Sequence, residues 1–403
     1  MSEEDLRREC TTSEPDGRIA SVDALRGLVI LLMIIMGMSV PLSLGGALEA
    51  GRSRLSLAPK VLARTLSLLA MGVLMVNRDQ HNPDYRGLWG LLMYVAIFLA
   101  FPVVPRGPEL RRRTFQVGRI IGFVGLAVLA LVYRTADGKH FVLGPLFDSS
   151  DTVWLRHSWW GILGLIGWAY LVASLVYLVL GRRREWLIGV AGLLAMVYVA
   201  DREGLFVRVD SRAWLAWAAP TIGLLERAYR WVGSHVSIGQ CFGSLASISV
   251  AGCCLGTIIT GDSPIRTHAE RLRWAFVYAA GLAAAALLFD PLYGINKTQA
   301  TPAWCFLCSS LTALTWAALY WIMDVRGLRT WSVIVRPAGA NPLMAYILHP
   351  FVFTVASFIG LPLAFYKRPD LPVIVSILGC LAMAFAIVGL TGLIGRLGYR
   401  LKA

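Results

Sequence analysis

Residues 236–260 and 373–395 each run without a single charged side chain. A helix rises about 1.5 Å per residue, so roughly 20 apolar residues cross the ~30 Å hydrocarbon core of a bilayer. Eleven stretches approach or meet that requirement: 27–47, 65–76 (reaching back to about 58), 88–104, 120–133, 158–180, 186–200, 236–260, 274–290, 304–323, 338–360 and 373–395. The second, fourth and sixth are short. No period-2 alternation runs through them, which excludes a barrel, and they lack the polar faces of a soluble helical bundle. The expected fold is all-α, a polytopic membrane helix bundle of 10–11 transmembrane helices. It is read as a polar tail over 1–17, a membrane domain over 18–396 and a short tail over 397–403.

Composition agrees. Of 403 residues, 57% are hydrophobic and 15% charged, against about 25% charged in a soluble domain. The 38 Lys+Arg and 24 Asp+Glu leave a net +14. No basic stripe lies beside an exposed aromatic platform, so nucleic acid is not the partner; the expected partner is the lipid bilayer. Segments 48–64, 105–119, 181–185, 261–273, 324–337 and 396–403 hold 21 Lys+Arg in 72 residues, and the intervening segments hold 13 in 95. The denser set is expected to be cytoplasmic. Arg7, Arg8, Arg18 and Arg26 give the N-terminal tail the same reading, yet one span, 27–47, separates it from 48–64. Either 27–47 is a re-entrant hairpin, the tail is outside, or a helix is missing. No secretory signal precedes the first apolar stretch.

Seven cysteines fall mostly inside apolar runs. The pair in Cys305-Phe-Leu-Cys308 is redox-like in spacing but is read as helix packing. No P-loop, zinc site or dinucleotide-binding glycine pattern is present, and no metal is expected.

Three stretches carry a likeness: Arg18-Ile-Ala-Ser-Val-Asp-Ala-Leu-Arg-Gly-Leu28, Asp290-Pro-Leu-Tyr-Gly-Ile-Asn-Lys-Thr-Gln-Ala-Thr-Pro-Ala-Trp304, and Asp324-Val-Arg326 with Arg336-Pro-Ala-Gly-Ala-Asn-Pro-Leu-Met-Ala-Tyr346. Together they resemble the heparan-α-glucosaminide N-acetyltransferase-type family of transmembrane acyltransferases, in its bacterial branch without the lumenal domain. The resemblance implies transfer of an acyl group from cytoplasmic acetyl-CoA or another acyl-CoA to an extracytoplasmic amino sugar, in a bacterial cytoplasmic membrane. In that family the loop joining the first two helices carries an active-site His and a nearby Asn. Here Leu31-Leu-Met-Ile-Ile-Met-Gly37 runs straight into Met38-Ser-Val-Pro-Leu-Ser-Leu44. The loop, its His and part of two helices are missing, which would also account for the parity conflict. That leaves an inactive chain or a different catalytic residue.

Candidate chemistry follows, each with its plainer alternative. Asp23 and Arg26, three apart on one helix face, are acyl-donor candidates or an interfacial charge pair. His349 lies about 16 Å into span 338–360, beside Pro350; at that depth it is a relay candidate or a satisfied bundle His at a kink. Asn341 is a donor-binding candidate, or the cap of a helix whose first turn holds Pro342. Asp290, Asn296 and Lys297, with Tyr293 and Trp304, combine amide, charge and aromatic surface as a sugar site does; the alternative is an interfacial pair with a turn. Asn296-Lys-Thr298 is also a glycosylation sequon. His157 and His235 are catalytic candidates or interfacial anchors beside Trp159-Trp160 and Gly233-Ser234. His81, His140 and His268 read as loop residues. A non-catalytic or transport role for a sugar or small metabolite is the alternative function, weakened by the absence of an internal repeat. A homodimer stays open.

Overall fold

A computed structural model describes residues 32–105, 108–136, 155–206, 219–260, 263, 265–363 and 371–402. Among these the protein is all-α, with only two isolated β-bridges, and seven helices are long and apolar enough to cross a membrane. It is an integral, multi-pass helix bundle. In order come α1 (Leu32–Val40), α2 (Gly46–Glu49), α3 (Arg54–Gln80), α4 (Pro83–Ala100), α5 (Glu109–Leu131), α6 (Gly161–Leu180), α7 (Arg184–Arg202) and α8 (Ala219–Gly233). Then follow α9 (Leu245–Gly256), α10 (His268–Tyr293), α11 (Pro302–Tyr320), α12 (Arg336–Ala340), α13 (Pro342–Phe358) and α14 (Val373–Arg396).

Each expected apolar stretch contains a helix, but the extents differ. The three short stretches belong to helices of 27, 23 and 19 residues, because Arg54, Glu109 and Arg184 begin helix as readily as apolar residues do. Stretch 338–360 is two helices, α12 and α13, broken at Asn341 ahead of Pro342, a proline that disfavours helical backbone in the residue before it. The amphipathic α8 was not anticipated; its polar residues conceal it from an apolar count. Residues 32–49 are helical without a reversing turn. A π-helical stretch, Pro41–Gly45, lies where Pro41 removes a backbone donor.

The chain divides into two compact units, one including Val29–Leu69 and Leu165–Leu328, the other Ala70–Gly164 and Arg329–Ala403. The first is organised around α9, all twelve of whose residues are buried. Its sequence, Leu-Ala-Ser-Ile-Ser-Val-Ala-Gly-Cys-Cys-Leu-Gly, is rich in small residues, so backbones approach it closely. A Cβ on Gly37 would run into the Ser249 carbonyl, and one on Gly256 would sit 2.6 Å from the Met38 oxygen. Ser247 donates to the Ala191 carbonyl at 2.7 Å and Tyr278 to that of Ala251 at 3.0 Å. Cys253, Cys254, Cys305 and Cys308 are buried in the hydrophobic clusters of this unit, and for Cys305 and Cys308 this is the packing role expected.

In the second unit α5 lies against α4, and α13 meets α4 through Phe351, whose ring stands edge-on to Phe98 at 5.1 Å and Tyr94 at 6.2 Å. Helix α14 exposes most of its surface, burying Ile387 and Thr391.

Candidate functional site

A cavity of about 720 Å³ lies in the second unit between α14 and the stretch Val333–Asn341, within the range of small-molecule sites. One wall is a face of α14: Phe385, Val388, Gly389, Gly392, Leu393, Gly395 and Arg396. From Phe385 to Arg396 this face rises about 16 Å along the helix axis. Gly392 meets Pro337, where a Cβ would stand 3.2 Å from the ring, whereas a Cβ on Gly389 or Gly395 would have nothing within 4 Å. The absent side chains leave the slot open.

The slot carries positive charge. Arg336, Arg396 and Arg400 line it, and no Asp or Glu does. Arg400 arrives there through the way α14 ends. Gly398, at φ 77°, turns the chain; its amide bonds the Gly395 carbonyl at 3.0 Å and the Tyr399 amide reaches Ile394 at 3.3 Å, closing the last turn. The following segment is held on two sides. Val103 donates to the Arg400 carbonyl at 2.8 Å and Lys402 to Phe101 at 3.1 Å. On the other side the buried Asn341 amide donates to the Tyr399 carbonyl at 3.3 Å and accepts from the Leu401 amide at 3.2 Å. Asn341 stands at the N-cap position of α13, but its side chain makes no capping bond, against the capping alternative; it serves the C-terminal segment instead. Tyr399 adds a hydrogen bond to the Phe98 carbonyl, and burial pushes its phenol up to about 12, so it remains a donor.

Asp23 and Arg26 lie outside the described residues, as do His140 and the first stretch of likeness. His349 is on α13 as expected, but its side chain is exposed, with its ring 4.9 Å from Phe353; it is not a bundle-interior histidine. His157 is half-buried, its ring 5.5 Å from Trp160. The turn they share is strained, with Ser158 at φ 47° and Trp160 at φ 66°. His235 is exposed beyond α8, its Nδ1 2.8 Å from the Trp231 carbonyl.

The sugar-site candidates occupy the α10–α11 turn of the first unit. The Asn296 side chain accepts from the Gln299 amide at 3.1 Å, an Asx-type turn, and Asn296 and Lys297 are exposed. Buried Thr301 staples the loop, donating to the Gly294 carbonyl at 2.7 Å and accepting from the Asn296 amide at 3.0 Å. Asp290 is half-buried near the end of α10. Trp304 is no open platform: it packs against a core of Ala169, Leu245, Ile248, Ala300, Cys305 and Cys308. Aromatic and acidic groups overlooked in the sequence stand near Tyr293, whose hydroxyl donates to Glu203 at 3.0 Å and whose ring is 5.6 Å from Tyr198. Asp201 accepts from Tyr229 and, at 2.9 Å, from the Gly239 amide. These carboxylates lie 90 residues from the motif, too far for spacing to suggest.

His81 was also missed. It turns the chain between α3 and α4, only 2% exposed, with its ring 5.2 Å from both Trp89 and Tyr133. Its Nδ1 lies 3.1 Å from the Asn82 carbonyl, so the proton is assigned there, leaving the unpartnered Nε2 bare. His268, also taken for a loop residue, opens α10 and meets the Tyr320 hydroxyl at 2.7 Å. Among the described residues no cluster of three His, Cys, Asp or Glu could hold a metal.

The chain matches no protein-family model and no curated protein.

Proposed function

We propose that the protein is an integral membrane acyltransferase that moves an acyl group from acyl-CoA on the Arg-rich side to an amino sugar on the other. One observation carries the reading. The stretch Arg336–Asn341, part of the likeness to transmembrane acyltransferases, forms a wall of a slot lined by three arginines and the apolar face of α14. Guanidinium is a strong bidentate partner for phosphate, and acyl-CoA carries phosphates at one end and its thioester at the other. In this reading Arg336, Arg396 and Arg400 hold the phosphates, and the arm runs along α14. The acceptor nitrogen attacks the thioester carbonyl carbon; the C–N bond forms, the C–S bond breaks, and the departing thiolate takes the proton the amine loses. Asn341, itself part of the slot wall, positions Arg400 through its bonds to Tyr399 and Leu401. The aromatic and acidic groups around Tyr293, Asp201 and Glu203 suit an amino sugar.

Transfer of radiolabel from acetyl-CoA and longer acyl-CoA to amino sugars tests this, in membranes carrying the chain, its Arg396→Ala/Arg400→Ala variant, or a version with a relative's loop between Ile35 and Met38. Transfer that the double substitution weakens at least tenfold in kcat/KM is expected. Activity confined to the grafted version would mean a scaffold disarmed by the missing loop. Silence in all, with folded protein, would overturn the reading in favour of transport. The broken helix at Asn341 favours that second reading, because carriers bind solutes at such breaks.

A further inference from the structure

The corner between α3 and α4 holds the connection from α5 to α6 at two places. Asn77, near the end of α3 and fully buried, makes the first: it donates to the Arg156 carbonyl at 2.7 Å and accepts from the Arg156 amide at 3.0 Å. The second is a short backbone pairing. The Asn82 amide donates to the Arg134 carbonyl at 3.1 Å, the Ala136 amide donates to the Gln80 carbonyl at 3.2 Å, and His81 stands opposite Thr135. Only this second tie has a titratable side chain at its centre. The buried His81 ring packs against Trp89 and Tyr133. The Trp89 indole donates to the Leu129 carbonyl at 3.0 Å and the Tyr133 hydroxyl to that of Asn77 at 3.2 Å, so both are committed elsewhere. His81 Nε2 is sealed from solvent and has no hydrogen-bond partner.

A proton added there is a buried charge with no acceptor, the costliest state for a polar group. The charged neighbours do not relieve it. On α4, Arg86 donates to the His81 carbonyl at 3.3 Å and has the same sign as an imidazolium, and Asp84 is exposed. On α3, Arg78 lies over the Tyr94 ring and the Asp79 side chain is 78% exposed. Arg134 and Arg156, on the two tied segments, are exposed cations. We propose that the α3–α4 corner is a pH-operated clasp: a proton taken from water at His81 Nε2 drives the ring out from Trp89 and Tyr133 and parts residues 80–82 from 134–136, while the Asn77–Arg156 tie stays closed. The amide of Asn77 does not titrate, so acid leaves it in place. Burial holds the His81 pKa below its ordinary value; the clasp is therefore fully closed above that value and opens as pH falls toward the folded pKa. The density of Lys and Arg places 77–87 among the segments expected outside the cytoplasm, so the pH read is that of the outer compartment. The device does not depend on what the α14 slot binds.

Backbone hydrogen exchange of the full chain in phosphatidylcholine nanodiscs tests this, read as protection relative to the unstructured rate at each pH so that the intrinsic pH dependence of exchange cancels. Between pH 7.5 and 5, protection at the Asn82 and Ala136 amides should fall at least tenfold, while that at the Arg156 amide stays within threefold. His81→Phe keeps a ring against Trp89 and Tyr133 but has nothing to titrate, and should hold all three amides level. Nuclear magnetic resonance of carbon-labelled histidine in the parent chain should show His81 taking up its proton over the same pH range as the loss of protection, a readout that needs no variant to fold. Protonation of His81 with protection at Asn82 and Ala136 unchanged would overturn the proposal. So would an equal fall in folded His81→Phe. Loss at all three amides together would overturn it too, because that is cooperative unfolding and not a local opening.

Discussion

Asn341 illustrates how one side chain in the wall of a site can hold a neighbouring segment in place. Both its amide groups are used on Tyr399 and Leu401, and leaving buried partners unpaired costs about 1–3 kcal/mol each. Asn341→Ala is expected to destabilise the protein by about 2–4 kcal/mol and to free the segment bearing Arg400, read as a lower thermal midpoint and faster backbone exchange over 399–402. Replacement without loss of either would show that the two bonds contribute nothing net. His81 makes a pH prediction. Burial lowers its pKa, the Asn82 carbonyl opposes this, and Arg86 adds to the lowering. The groups around it offer little relief: Arg86 donates to the His81 carbonyl, Tyr133 is committed to Asn77, and Asp79 points largely into the open. The folded pKa lies below the ordinary value of about 6.5. The stability due to neutral His81 is therefore complete above that value and is lost as pH falls through it toward the folded pKa. Unfolding measured between pH 7.5 and 5 should show this fall, and His81→Phe should flatten it; an equal slope in the variant would assign the effect elsewhere.

Among the elements, the crossing of α1 and α9 depends on an absent atom. Because the Ser249 carbonyl occupies the place of a Gly37 Cβ, Gly37→Ala must push two helices apart. A loss of more than about 2 kcal/mol is expected, in the range of core overpacking. Gly281→Ala, on α10 where a Cβ meets nothing, should instead be neutral or stabilising by up to about 1 kcal/mol through helix propensity. Thermal denaturation of the two variants beside the parent separates the cases, and equal midpoints would refute close packing at this crossing. The same logic explains the break between α12 and α13: an apolar count runs through Pro342, but the backbone before a proline does not stay helical.

For the whole molecule, the expected sidedness decides which compartment supplies the slot. From the density of Lys and Arg, 181–185, 324–337 and 396–403 are expected to face the cytoplasm. An epitope placed after Ala403 should be unreachable from outside intact cells, whereas one inserted between Lys297 and Thr298 should be accessible there. The reverse pattern would place the slot's arginines outside, where cytoplasmic acyl-CoA cannot reach them. A shared side would contradict the alternation of the intervening helices.

The sequence by itself determined the class of this molecule. Uncharged runs of about 20 residues leave the backbone no partner in hydrocarbon except itself, and that forces helices. It also pointed to Asn341 and to the α10–α11 turn as places where polar groups interrupt such runs. Tertiary structure alone decided what those residues do. Whether Asn341 caps its helix or ties down Arg400, whether Trp304 offers a face or fills a core, and whether His81 is loop or buried all depend on contacts with residues tens to hundreds of positions away. Local periodicity carries no record of those contacts. The slot is the extreme case: its volume comes from side chains that glycines lack, on a helix whose apolar sequence reads only as a span.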